Sequence, residues 1–212
     1  AIRKDDFVGK YGIFNAQDKA NPFKDWTVVF IPYTTGDLHI GNTINHYQSK
    51  QGKIQVYHHG RKNVLAALNW ISKNIKTPRK VLVSGESAGA YASAFWTPSV
   101  AAIYTKQPIY QLSDGSLLVS KRWAEVIDTV WKAESQSFLK FIIGNDAFES
   151  ALLNRSDSIN ARIKHLHCNT LYDLILPKFS AALNHQSSKT NAYIDEWSKD
   201  MLVSMKKLDD SN

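Results

Sequence analysis

The stretch Lys80-Val81-Leu82-Val83-Ser84-Gly85-Glu86-Ser87-Ala88-Gly89-Ala90-Tyr91-Ala92-Ser93-Ala94 decides the fold. A short apolar run rich in valine stops at Gly85. Ser87 then stands between two glycines as Gly85-x-Ser87-x-Gly89, and a run of small, helix-compatible residues follows. Strand, sharp turn and helix in that order are the context in which a G-x-S-x-G serine is a nucleophile. The strand aims the turn, and the glycines let strand and helix approach closely. The helix start places unpaired N–H groups and the positive end of the dipole where an oxyanion would form. A structural reading also exists, a plain strand–turn–helix connection.

Outward from this stretch, elements alternate. Upstream, Trp26-Thr27-Val28-Val29-Phe30-Ile31 reads as a buried strand running into Pro32-Tyr33-Thr34-Thr35-Gly36-Asp37. Lys53 to Tyr57 alternates as a strand, and His58-His59-Gly60 follows. Arg61 to Lys76 carries a helical stripe of Val64, Leu65, Leu68, Ile71 and Ile75. Ala88 to Trp96 is a helix expected to stop at Thr97-Pro98, and Ser99 to Thr105 reads as a further helical piece. Downstream, strands are expected at Ile109–Leu112, Phe138–Ile143 and 161–164, with helices at Trp123–Ala133, Ala147–Asn154 and over much of Tyr172–Leu208. This order predicts an α/β fold of α/β-hydrolase type, a mostly parallel sheet with helices on both faces. One domain over residues 1–212 is expected.

The ends of these strands read PYTTGD, HHG, SGES, SDG, GND and HLH. A parallel sheet gathers them on one edge, where ligands bind. A hydrolase triad on this fold runs serine, acid, histidine along the chain. Asp114 follows the first strand after the elbow and Asp146 the second, and topology favours Asp146. Asp146 also fits a helix N-cap and Asp114 an Asx turn. His165 and His167 are two residues apart and face one side of an extended segment, so the residues alone do not choose between them.

Composition narrows the class. The 212 residues carry a net charge of +7, and no apolar run approaches the length of a membrane span. The basic residues are scattered and no recognition motif accompanies them, so a nucleic-acid partner is not expected. No phosphate-binding glycine loop appears, and no cofactor is expected. His165-x-His167 lacks a third and fourth ligand, so no metal is expected either. Cys168 is the only cysteine.

Several blocks together resemble the pectin acetylesterase/Notum family. They are Pro32-Tyr33-Thr34-Thr35-Gly36-Asp37-Leu38-His39-Ile40-Gly41, His58-His59-Gly60-Arg61-Lys62-Asn63, Ser84-Gly85-Glu86-Ser87-Ala88-Gly89-Ala90, Ser113-Asp114-Gly115, Asn145-Asp146, His167 and Asp195-Glu196-Trp197. They run in family order along nearly the whole chain. Thr34 and Glu86 stand where that family often has cysteine, and Ala90 stands at its third elbow glycine. The resemblance implies a serine carboxylesterase that takes acetate-like groups from a carbohydrate or other polar carrier. It places the nucleophile on Ser87, the acid on Asp146, the base on His167 and an oxyanion donor on the N–H of Ala88. Thr35, Gly36, Asp37 and Asp114 would line the substrate. The resemblance alone implies secretion or a periplasmic location, and an N-terminal part of the family domain upstream of Ala1. The other reading is a non-catalytic, glycan-binding relative of the same fold.

Overall fold

The computed structural model describes residues 11–118, 120–133, 162–186 and 192–210. The chain forms two compact units, Ala1–Pro32 and Tyr33–Asn212. In the first, the Asn21 side chain organises the backbone. Its amide donates to the carbonyls of Ile13 and Asn15, and its oxygen accepts the N–H of Phe23. The strand expected at Trp26–Ile31 is not formed. The segment forms no strand and has no ladder partner among the described residues, and Val28, Val29 and Phe30 are exposed. A buried strand needs a neighbour to take its N–H and C=O groups, and β propensity alone does not supply one.

The second unit opens with a hairpin, β1 (Thr43–Ser49) and β2 (Gly52–His58). The two pair antiparallel from Thr43↔His58 to Ser49↔Gly52. A link of two residues can only join antiparallel strands, so this pair stands outside the parallel pattern. Next comes α1 (Gly60–Asn74), close to its expected span, burying Val64 and Leu68.

The central layer is β3 (Val81–Glu86), α2 (Ala88–Ile103), β4 (Ile109–Asp114) and, much later, β5 (Ile163–Cys168). The strands lie in the order β3-β4-β5, all parallel. The fold is therefore α/β. The helix α2 packs on β3 and β4 and runs through Pro98 to Ile103, past its expected stop. Pro98 removes one backbone donor, but nine residues of α2 are buried, among them Tyr91, Phe95 and Trp96. Burial outweighs a local breaker here, as tertiary packing supplies most helical stability. The guanidinium of Arg162 donates to the carbonyls of Ala101 and Thr105 at the end of α2, a position that favours cations.

Further along, α3 (Trp123–Glu125) continues as a π-helix over Val126–Val130, and α4 (Leu176–Leu183) and α5 (Ala192–Asp210) close the chain. Buried indoles fix these pieces. Trp123 Nε1 donates to the Leu118 carbonyl at 2.6 Å and Trp197 Nε1 to the Leu117 carbonyl at 2.7 Å. The strand expected at Phe138–Ile143 and the helix expected at Ala147–Asn154 lie outside the described residues.

Candidate active site

Ser87 joins β3 to α2 with φ 53° and ψ −117°. An L-residue avoids this left-handed conformation, which costs about 1–3 kcal/mol and persists only where the surroundings impose it. They do so here. The Ser87 N–H donates to the carbonyl of Asp114 at 2.8 Å, and the Ser87 carbonyl accepts the N–H of Ala90 at 2.9 Å. Beneath the turn, a Cβ on Gly85 would lie 2.1 Å from the carbonyl oxygen of Gly89. A Cβ on Gly89 itself would meet nothing within 4 Å. Space therefore demands glycine at 85 alone, and what presses on it is the backbone of residue 89. The result leaves Ser87 exposed to solvent. Ala88 occupies the first helical position, where a backbone N–H has no acceptor within the helix.

The register sets the other candidates in rows. Glu86, Asp114 and Cys168 form the last row of the sheet, and Gly85, Ser113 and His167 the row before it. Asp114 is thus beside the elbow, its side chain exposed. The two histidines differ from expectation in one respect. β5 extends to Cys168, so His165 and His167 lie within the strand and not in a loop beyond it. They do share a face. Their rings are 6.4 Å apart and nearly parallel, at 17°. Adjacent strands are about 4.8 Å apart, and β4 separates His167 from β3. Asp146 lies outside the described residues.

A second constellation surrounds Asp37, which is 0% exposed. One carboxylate oxygen accepts the Thr35 hydroxyl at 2.6 Å and the His39 N–H at 3.1 Å; the other accepts the Gly60 N–H at 2.8 Å. Gly60 has to be glycine, because a Cβ there would lie 2.3 Å from the carboxylate. The neighbouring His58 is tied on both sides. Its Nδ1 meets the Thr35 carbonyl at 2.9 Å and must donate, and its Nε2 is hydrogen-bonded with the Tyr47 hydroxyl at 2.8 Å. Trp96 Nε1 donates to the His39 carbonyl at 3.1 Å, fastening the loop to α2. Thr35 and Asp37 are thus enclosed, and Gly36 is exposed at the tip with φ 60°.

Burial holds the pKa of His39 below its ordinary 6.5, with the Asp37 charge opposing in part. A histidine depressed on folding is neutral in the native state and takes up a proton more readily when unfolded. Its contribution is complete above about pH 6.5 and is lost as pH falls through the folded value. The unfolding free energy of the wild type should therefore decline below pH 6.5. In His39→Asn, which tolerates the left-handed backbone (φ 63°), that slope should flatten; urea titrations between pH 5 and 7.5 measure both.

One feature had a weak signal in the sequence. Gln111 interrupts the apolar strand Ile109-Tyr110-Gln111-Leu112 and is fully buried. A polar residue in the middle of a short apolar run is the mark that reveals it.

A family model described as pectinacetylesterase matches residues 3–132. The match takes in the Asp37 loop, the elbow and Asp114, and ends before β5. Among curated proteins none matches the chain.

Proposed function

We propose that this chain, which belongs to the pectinacetylesterase family and is a carboxylic ester hydrolase, releases acetate from an acylated carbohydrate or other polar carrier by an acyl-enzyme route on Ser87. The observation that carries this reading is the backbone of Ser87, left-handed at a strand-to-helix turn and exposed. Strain of that kind at a solvent-facing serine is what presents a nucleophile above its sheet.

The steps follow from the roles. The Ser87 oxygen attacks the acetyl carbonyl while the base, His167, takes its proton. The carbonyl oxygen gains negative charge, which the Ala88 N–H stabilises. The tetrahedral species collapses, and the imidazolium returns the proton to the departing sugar oxygen. Water then repeats the sequence on the acetyl-serine and frees acetate. Asp146 would hold the imidazole in the tautomer that this needs. The exposed loop tip at Gly36, supported from within by Thr35 and Asp37, would face the carrier together with Asp114. The family further supports export from the cytoplasm; no helix among the described residues is long and apolar enough to cross a membrane.

Labelling tests the reading directly. A fluorophosphonate should modify the protein once, and mass spectrometry of the digest should place the adduct on Ser87. Absence of an adduct from protein that hydrolyses p-nitrophenyl acetate would remove Ser87 from the mechanism.

A further inference from the structure

Beneath the elbow lies a chain of buried polar groups that the proposed chemistry does not use. His165 Nδ1 is 2.9 Å from Gln111 Oε1, an oxygen that can only accept, so His165 donates from Nδ1. The Gln111 amide nitrogen has two hydrogens and two partners, Ser93 Oγ at 2.7 Å and Ser113 Oγ. Each serine then has its own proton to give, and both hydroxyls reach the carbonyl of Ala90, at 2.7 Å from Ser93 and 3.3 Å from Ser113. Ala90 in turn donates its N–H to the Ser87 carbonyl at 2.9 Å. Every donor in the relay from β5 to the elbow finds an acceptor in one direction. Gln111 and Ser113 are fully buried, and Ser93 is nearly so.

An apolar core would pack these positions at no polar cost, since a buried amide left half-bonded is destabilising. Such a network is worth its cost where it fixes one geometry. Both its ends matter. One end holds the first turn of α2, whose Ala88 N–H is the proposed oxyanion donor; the other fixes the ring and tautomer of His165.

We propose that Gln111 is a positioning residue for the ester hydrolysis: through Ser93 and Ser113 it sets the first turn of α2 against the sheet, and so the Ala88 N–H against the developing oxyanion. This rests on Ser87 being the nucleophile. It also assigns His165 to the relay and leaves the role of base to His167.

The test is Gln111→Met, similar in length and without hydrogen-bonding capacity. Active sites are counted by the p-nitrophenol burst, so that misfolded molecules drop out of the rate. The expected result is a kcat per titrated site lower by about tenfold, with KM within about twofold of wild type, because misplacing a group by less than 1 Å costs rate and not ground-state binding. The rate of fluorophosphonate inactivation should fall in parallel. An unchanged kcat per titrated site alongside a lower melting temperature would overturn the proposal and make the relay purely structural. Should Gln111→Met fail to fold, Ser113→Ala removes one link alone and carries the same two outcomes, with a smaller fall of about threefold. Failure of the underlying reading is separate: it would show as wild-type protein unlabelled at Ser87.

Discussion

Ser87→Ala should lower kcat/KM for p-nitrophenyl acetate by at least about 10⁴, and Ser87→Gly should do the same while unfolding at a higher temperature than wild type. Loss of an acyl-enzyme nucleophile removes the covalent route, and what survives is binding and oxyanion stabilisation alone. The two substitutions separate chemistry from backbone. Alanine keeps a Cβ, so it keeps the strain of φ 53° and ψ −117°, and its melting temperature should stay near that of wild type. Glycine removes the Cβ and relieves about 1–3 kcal/mol of strain, against about 0.5–1 kcal/mol of added chain entropy on unfolding. The net is a gain of about 1 kcal/mol, or about 2–4 °C for a chain of this size. Scanning calorimetry of the three proteins decides it. A glycine variant that melts below the alanine variant, by the about 0.5–1 kcal/mol of added chain entropy alone, would mean that the turn stores no strain.

The largest loss of stability is expected at Asp37. Asp37→Ala leaves the Thr35 hydroxyl and the N–H groups of His39 and Gly60 without their acceptor. Each was bonded to a buried carboxylate, the class of hydrogen bond worth about 1.5–3 kcal/mol. Asp37 is fully buried, so bulk water does not reach these donors. A loss of about 3–5 kcal/mol in urea unfolding follows, after allowance for relaxation of the loop. Asp37→Asn retains one oxygen and the shape, but turns an NH₂ toward groups that are themselves donors, so it should recover only part of that loss. A cost below about 1 kcal/mol for Asp37→Ala would show that the carboxylate does not organise the loop.

The elbow was legible because its parts are local: a strand, a turn and a helix within fifteen residues, each with its own residue signature. The hairpin was half legible. β2 alternates apolar and polar, but β1, Thr43-Ile44-Asn45-His46-Tyr47-Gln48-Ser49, is too polar to stand out, and only its pairing with β2 makes it a strand. Trp26–Ile31 shows the converse, strong propensity without a ladder. The Pro98 stop failed because a breaker acts locally while the burial that overrides it comes from β3 and β4. In the site, the residue types at the strand ends were readable, and their partners were not. Nothing in the spacing of Thr35, Asp37 and Gly60 shows that one carboxylate joins them. Whether a histidine lies in a strand or just past it turns on one or two residues, the scale at which sequence patterns lose resolution.

The contact between Gly85 and the Gly89 carbonyl has a consequence for heredity. Every amino acid other than glycine carries a Cβ, so every missense change at codon 85 places a carbon 2.1 Å from a backbone oxygen, nearer than a side chain can sit without moving the chain. A Cβ at position 89 would meet nothing within 4 Å, so alanine fits there in space. Of the two glycines that flank Ser87, only the second leaves room for a side-chain carbon.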